Sequence, residues 1–121
     1  MQVFPSPKKK DASIMRRSGR MSDPRSRFFM ALACDQRLKI LELLREKERC
    51  SCELVPLLKL DPSVVSRHLS ILREAGLVEG RKEGINIYYA ITDQRVFDLL
   101  DISKQIIQDW FEKRRKLLEE M

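Results

Sequence analysis

Apolar positions fall at helical spacing through most of this chain and alternate at strand spacing in one short stretch. Asp23-Pro24 has the form of a helix start, a capping acid followed by proline at the first helical position. The helix it opens carries Phe28, Phe29, Ala31, Leu32 and Ala33. Asp35 is placed to cap a second helix, in which Ile40, Leu41 and Leu44 share a stripe and Lys39 faces out. The charged run Arg45-Glu46-Lys47-Glu48-Arg49 ends it. A third, short helix is predicted over about Cys52 to Leu58, with Leu54, Leu57 and Leu58 inward. Pro56 must lie in its first turn, which moves its start a residue or two later. Asp61-Pro62 repeats the cap-plus-proline signal, and the fourth helix runs to Ala75, with Gly76 as its stop. Val65, Leu69 and Leu72 form its buried face; Ser63, Ser66, Arg67 and Ser70 lie away from it.

Ile85, Ile87 and Tyr89 then alternate with Asn86, Tyr88 and Ala90, and Gly84 supplies a turn. This predicts a two-stranded hairpin, the wing of a winged helix-turn-helix. Thr92 or Asp93 caps a long last helix to about Glu120. Its apolar arc, from Val96 and Phe97 through Leu99, Leu100, Ile102, Ile106, Ile107, Trp110 and Phe111 to Leu117 and Leu118, is too wide for one small neighbour. A partner subunit is the natural place to bury it. The fold class is therefore mainly α with a small β-hairpin, folded over residues 24–121 as one DNA-binding and dimerisation domain.

The net charge of +6 sharpens this picture less than it first suggests. Residues 1–23 carry a net +4, leaving +2 on the other 98 residues. Residues 1–23, with Pro5, Pro7 and three consecutive lysines, have no apolar period and are expected to form a basic, disordered tail. The basic balance permits a nucleic-acid partner. The three cysteines are an odd number in a chain with no signal-peptide core, which argues against a disulfide framework and for a reducing cytoplasm. No apolar run approaches the roughly 18 residues that span a bilayer.

The candidate chemistry lies between Arg49 and Val78. Cys50 and Cys52 precede the two short helices, a soft-metal chelate one helix away from a groove-reading helix. At i and i+2 of a regular helix the two side chains would point about 200° apart, so chelation would distort the helix start and shift the next helix. Lys47, Arg49 and the helix N-terminus are expected to favour thiolates. The alternative is an ordinary pair, one cysteine buried and one exposed. Cys34 is a further candidate ligand. About ten helical residues put roughly 15 Å between it and the pair, which favours a small packing residue, with a contribution across a dimer left open. On the fourth helix, Ser63, Val64, Ser66 and Arg67 occupy the early turns that meet base edges. The alternative for Arg67 is a surface pair with Glu74. His68 is assigned a DNA-facing or structural role, and Arg81 and Lys82 a wing contact with phosphate or the minor groove. A single histidine, and no phosphate-cradling glycine loop, argue against an enzyme.

The stretches LACDQRLKILELL, CSCEL, VVSRHLSILREAGLV and GINIYYAIT, in this order and spacing, resemble the ArsR/SmtB family of metal-responsive repressors over residues 24–118. The resemblance implies a homodimer paired through its first and last helices, here Phe28, Phe29, Leu99, Ile102, Ile106 and Trp110. It implies binding to inverted-repeat operator DNA without a cofactor, and release when a metal or metalloid binds. CSCEL looks like the arsenic-sensing branch, whose motif reads roughly ELCVCDLC. Cys50 and Cys52 match its first two cysteines and Val55 stands where the third would be. The implied inducer is As(III) or Sb(III). The tail adds no cysteine, and the last helix has no histidine, as the cadmium/lead and the zinc/nickel sensors of the family would require. Pro62 departs from the polar residue usual after the cap. Two other readings stand beside this one: a family repressor sensing oxidation or another thiophilic ion, and a winged-helix module that binds proteins.

Overall fold

The computed structural model of the protein describes residues 23–121, so the expected basic tail lies outside the described residues except for Asp23. Helix α1 (Pro24–Leu32) begins where Asp23 accepts the Arg25 backbone N–H at 2.9 Å. The Arg25 side chain holds the same carboxylate, and its hydrogen bond draws the Asp23 pKa down to about 2. Helix α2 (Asp35–Glu46) follows after two residues. Its cap is Cys34, whose carbonyl accepts the Leu38 N–H at 2.9 Å; Asp35, the expected cap, is the first helical residue.

Strand β1 (Arg49–Cys50) is a correction to the two-stranded hairpin, since two residues are too short to show alternation in a sequence. Helix α3 (Ser51–Leu58) starts earlier than expected and keeps Pro56 past its first turn. The missing N–H falls in a helix that ends two residues later, at Leu58, and is closed by the left-handed Lys59. Leu54 is fully buried, but Leu57 is exposed rather than inward. Helix α4 (Pro62–Glu74) follows a tight turn, and Gly76, at φ +83°, closes its C-terminus. Strands β2 (Val78–Glu83) and β3 (Asn86–Ile91) form the wing. The sheet order is β1-β3-β2, antiparallel throughout, with Cys50 opposite Tyr88 and Arg81 opposite Tyr88 on the other side.

The core is the meeting of α2, α3, α4 and the sheet. Ile40, Leu41, Leu54, Val65, Leu69, Leu72 and Leu77 are at most 1% exposed. Burial of such side chains is worth about 1.5–3 kcal/mol each, which fixes α4 with its Val65-Leu69-Leu72 face inward and its polar face out. Helix α5 (Arg95–Glu119) is rooted by buried Val96 and Phe97 and by Arg45, which reaches Asp101 at 2.9 Å and lies over the Phe97 ring. The cap position is Gln94 rather than the expected Thr92 or Asp93, and Asp93, one residue earlier, accepts the Arg95 backbone N–H at 2.9 Å. From Asp101 onward every residue of α5 is exposed. Among the described residues no helix is long and apolar enough to cross a membrane.

Candidate nucleic-acid interface and thiol site

The outer face of α4 is built by the core beneath it. Once Val65, Leu69 and Leu72 face inward, Ser63, Val64, Ser66 and Arg67 are all exposed in the first two turns. Asp61 starts the helix with its backbone carbonyl, accepting from Val64 and Val65 at 3.0 and 3.1 Å. Arg67 makes no ion pair among the described residues; Glu74 instead faces Arg27 at 3.8 Å. Its guanidinium is therefore available to a base edge or a phosphate.

His68, one residue on, is only partly exposed. The Arg37 Nη1 lies 3.2 Å from its Nδ1. Burial first, then the charges of Arg37 and Arg67, hold the imidazole below its ordinary pKa. The same guanidinium donates from Nε to the Ala31 carbonyl at 2.7 Å and from Nη2 to the Met30 carbonyl at 3.2 Å.

On the wing, Arg81 and Lys82 are both exposed. Arg81 is engaged by Glu83 and by Glu48, just ahead of β1, and lies over the Tyr88 ring. Those two carboxylates raise its pKa and offset its charge. Arg73 donates to the Tyr89 hydroxyl at 3.2 Å and ties the end of α4 to β3. Gly80 makes room for this contact: a Cβ there would meet Ile87, Tyr89 and Arg73 at 3.1–3.3 Å.

The two cysteines are not both helical, which corrects the expectation that they point apart. Cys50 is extended, the last residue of β1 and the cap of α3, whereas Cys52 is in the first turn. Their Cα atoms are 5.1 Å apart and their sulfurs are joined in a disulfide, although the odd cysteine count argued against one. Cys50 is buried and Cys52 exposed. The Cys52 backbone N–H donates to Cys50 Sγ at 3.0 Å, and the Cys50 N–H donates to Glu53 Oε1 at 2.9 Å, a reciprocal cap. Arg49 does not turn to the sulfurs; its hydrogen bonds go to the Leu43 carbonyl at 3.0 Å and Glu46 at 2.6 Å. Cys34 is half-buried at the start of α2, outside the core cluster. Among the described residues it joins no group of three or more metal-ligating side chains. Reduced, the pair offers a thiophilic ion two adjacent sulfurs, one reachable from solvent.

The family described as "Bacterial regulatory protein, arsR family" matches residues 34–80, from the cap of α2 into β2. A probable mercury resistance operon repressor of Streptomyces lividans is 38% identical over 87 residues, covering 72% of this chain and 70% of that protein. The chain belongs to the ArsR/SmtB family. A transcriptional repressor SmtB homolog of Synechocystis is 42% identical over 72 residues, 60% of this ArsR/SmtB chain and about half, 54%, of that relative. The solution structure of the homodimeric winged helix-turn-helix DNA-binding domain Mb0332 from Mycobacterium bovis, a possible ArsR-family regulator, superposes with a TM-score of 0.68. It is 31% identical and covers 80% of this chain and 90% of that one. The winged helix-turn-helix fold is thus shown, and the family is one of transcriptional regulators rather than enzymes.

Of the expected dimer residues, Phe29, Ile102, Ile106 and Trp110 are 52–63% exposed. Phe28 and Leu99 are instead half-buried against the core of their own subunit. Sequence reasoning missed Arg37, Glu48 and Arg73. Each is one charged residue in a charge-rich chain, and nothing in spacing separates a cross-element contact from a solvated side chain.

Proposed function

We propose that this ArsR/SmtB chain is a cytoplasmic, homodimeric transcriptional repressor that binds double-stranded operator DNA and is released when As(III) or Sb(III) binds Cys50 and Cys52. The observation that carries the reading is the position of the pair. Cys50 belongs to β1, which pairs with the wing strand β3, and Cys52 lies in the first turn of the helix that packs on α4. A change at the sulfurs therefore reaches both parts of the DNA-reading unit. Ser63, Val64, Ser66 and Arg67 read the major groove; Arg81 and Lys82 approach the flanking backbone. DNA binding itself requires no cofactor. Phe29 with the Ile102-Ile106-Trp110 stripe is the face a second copy covers, assisted at its base by Phe28 and Leu99. The Mycobacterium bovis relative, described as homodimeric, supports this.

The joined sulfurs favour a second signal, oxidation. Hydrogen peroxide would oxidise the two thiols to the S–S bond, its O–O bond breaking and its oxygens leaving with the two thiol protons as two waters. The deciding experiment is fluorescence anisotropy of the reduced protein on DNA upstream of its own gene at fixed salt. Arsenite, peroxide and zinc are titrated separately. Release by arsenite alone supports metalloid sensing, and release by peroxide alone supports the thiol switch. Tight binding indifferent to both discards the sensor. No sequence-preferring binding discards the repressor in favour of a protein-binding module.

A further inference from the structure

We propose that Arg37 is a strut that fixes the reading attitude of α4 relative to α1, with the neutral imidazole of His68 as its contact on the reading helix. This rests on α4 being the DNA-reading helix. One guanidinium touches three places: the Met30 and Ala31 carbonyls at the end of α1, and His68 Nδ1 in the second turn of α4. The α1 carbonyls belong to the last turn of a helix, where Met30 also accepts the Ala33 N–H at 3.2 Å, and an arginine is suited to cap such carbonyls. Arg37 itself springs from the first turn of α2. Three helices are thereby tied through one rigid, planar group. The helix whose end it grips carries Phe29, part of the proposed dimer face. The strut therefore passes the position of the partner subunit to the helix that reads DNA.

A guanidinium has only donors, so Nδ1 must offer its lone pair. His68 is then neutral, with its proton on Nε2. Protonation would place an N–H where the acceptor stood and a positive charge against Arg37. The charged groups acting on the ring among the described residues are Arg37 from α2 and Arg67 from α4 itself. Arg27 and Glu74 join α1 to the far end of α4 as a separate pair. From α1 the strut receives backbone carbonyls rather than a side chain. Both acting charges are cations, so the strut is lost, not strengthened, as the pH falls. The folded pKa lies below the free value near 6.5. The stabilising contribution is therefore complete above about pH 6.5 and declines as pH drops through the folded value.

This sign separates the strut from a phosphate-contacting histidine. A phosphate contact would tighten DNA binding as the ring becomes charged; loss of the strut loosens it. The chain has one histidine, so its ring gives an unambiguous nitrogen NMR signal. The test has two arms on the full-length protein. NMR titration is expected to show the Nε2–H form and a midpoint below 6.5 that rises in Arg37→Ala. Operator anisotropy is expected to weaken roughly tenfold from about pH 7.5 to about pH 5, within the usual range of site coupling. His68→Asn, which keeps an acceptor near the Nδ1 position but cannot become charged, is expected to remove that decline. Wild-type affinity that rises towards acid pH, a proton on Nδ1 at neutral pH, or an Asn variant with the same decline overturns the strut. Absence of any operator binding at neutral pH overturns the DNA-reading assignment instead, while the NMR arm still judges the Arg37–His68 contact.

Discussion

Replacing Cys50 separates the two tasks placed on that residue. Its sulfur belongs to the candidate sensor, and it also caps α3 by accepting the Cys52 N–H at 3.0 Å. Cys50→Ala removes the cap, at about 0.5–2 kcal/mol for the loss of a capping side chain. It also leaves a gap one sulfur atom wide at a site 1% exposed. Small core deletions of that kind cost about 0.5–1.5 kcal/mol. The expected total is about 2 kcal/mol. Cys50→Ser does the opposite at the cap, because a serine cap with a glutamate three residues on is the preferred capping-box pair. Glu53 stands at that spacing and already accepts the backbone N–H of Cys50. The net change in the serine variant is expected to stay within about 0.5 kcal/mol. Urea unfolding of the fully reduced proteins, at one protomer concentration because dimer stability depends on it, reads the difference. Both variants are expected to keep operator binding and to lose release by arsenite. A serine variant as unstable as the alanine one would refute the capping argument. A serine variant released at the wild-type arsenite concentration would refute the sensing assignment.

Four further outcomes are expected. Arg67→Ala weakens operator affinity by about 1–3 kcal/mol in anisotropy while leaving the urea midpoint unchanged; unaltered affinity would mean another face reads the DNA. Glu48→Gln removes one of the two carboxylates holding Arg81 and frees the wing cation. Operator binding then tightens, and the slope of log affinity against log salt steepens by about one unit. Ile106→Glu places a charge in the exposed stripe of α5, and sedimentation equilibrium should show a monomer; a persisting dimer would move the interface elsewhere. Leu69→Ala, at a position 1% exposed, costs about 2–5 kcal/mol in urea unfolding and weakens DNA binding through the same helix.

The architecture was legible in the sequence where a signal repeats. Val65, Leu69 and Leu72 lie on one face over about two turns, and an Asp-Pro pair starts each of α1 and α4, so both are found where the pattern puts them. Legibility failed where one residue decides. Strand β1 holds two residues and offers no period. Cys34 rather than Asp35 caps α2, because a backbone carbonyl fills the place that a side chain was expected to take. Leu57 points out because α3 is too short and too tightly ended for its apolar arc to be buried whole. The exposed face of α4 followed from the buried one by exclusion, which is why Ser63, Val64, Ser66 and Arg67 were expected on its outer side, where they are found. The groups that hold the face in place come from other elements at separations of 16 to 33 residues, and sequence spacing carries no record of those contacts.

The break in helical geometry at Cys50 changes what a sensor here has to accomplish. Two cysteines inside one regular helix would have to unwind it to meet, and the energy for that would come from the ion they capture. In this chain the meeting is already built, since Cys50 is extended and Cys52 helical, with sulfurs in bonding contact. The cost of bringing them together is carried by folding, not by the signal. Chelation or oxidation then acts on what the Cys50 sulfur otherwise does, which is to cap α3 from within the strand that pairs with the wing. A thiolate, a disulfide sulfur and a metal-bound sulfur differ as acceptors for the same N–H. On the proposed reading the switch would work at the junction of β1 and α3, with the wing on one side and the helix-turn-helix on the other. That junction also lies two residues from Glu48, which pairs with Arg81 of the wing.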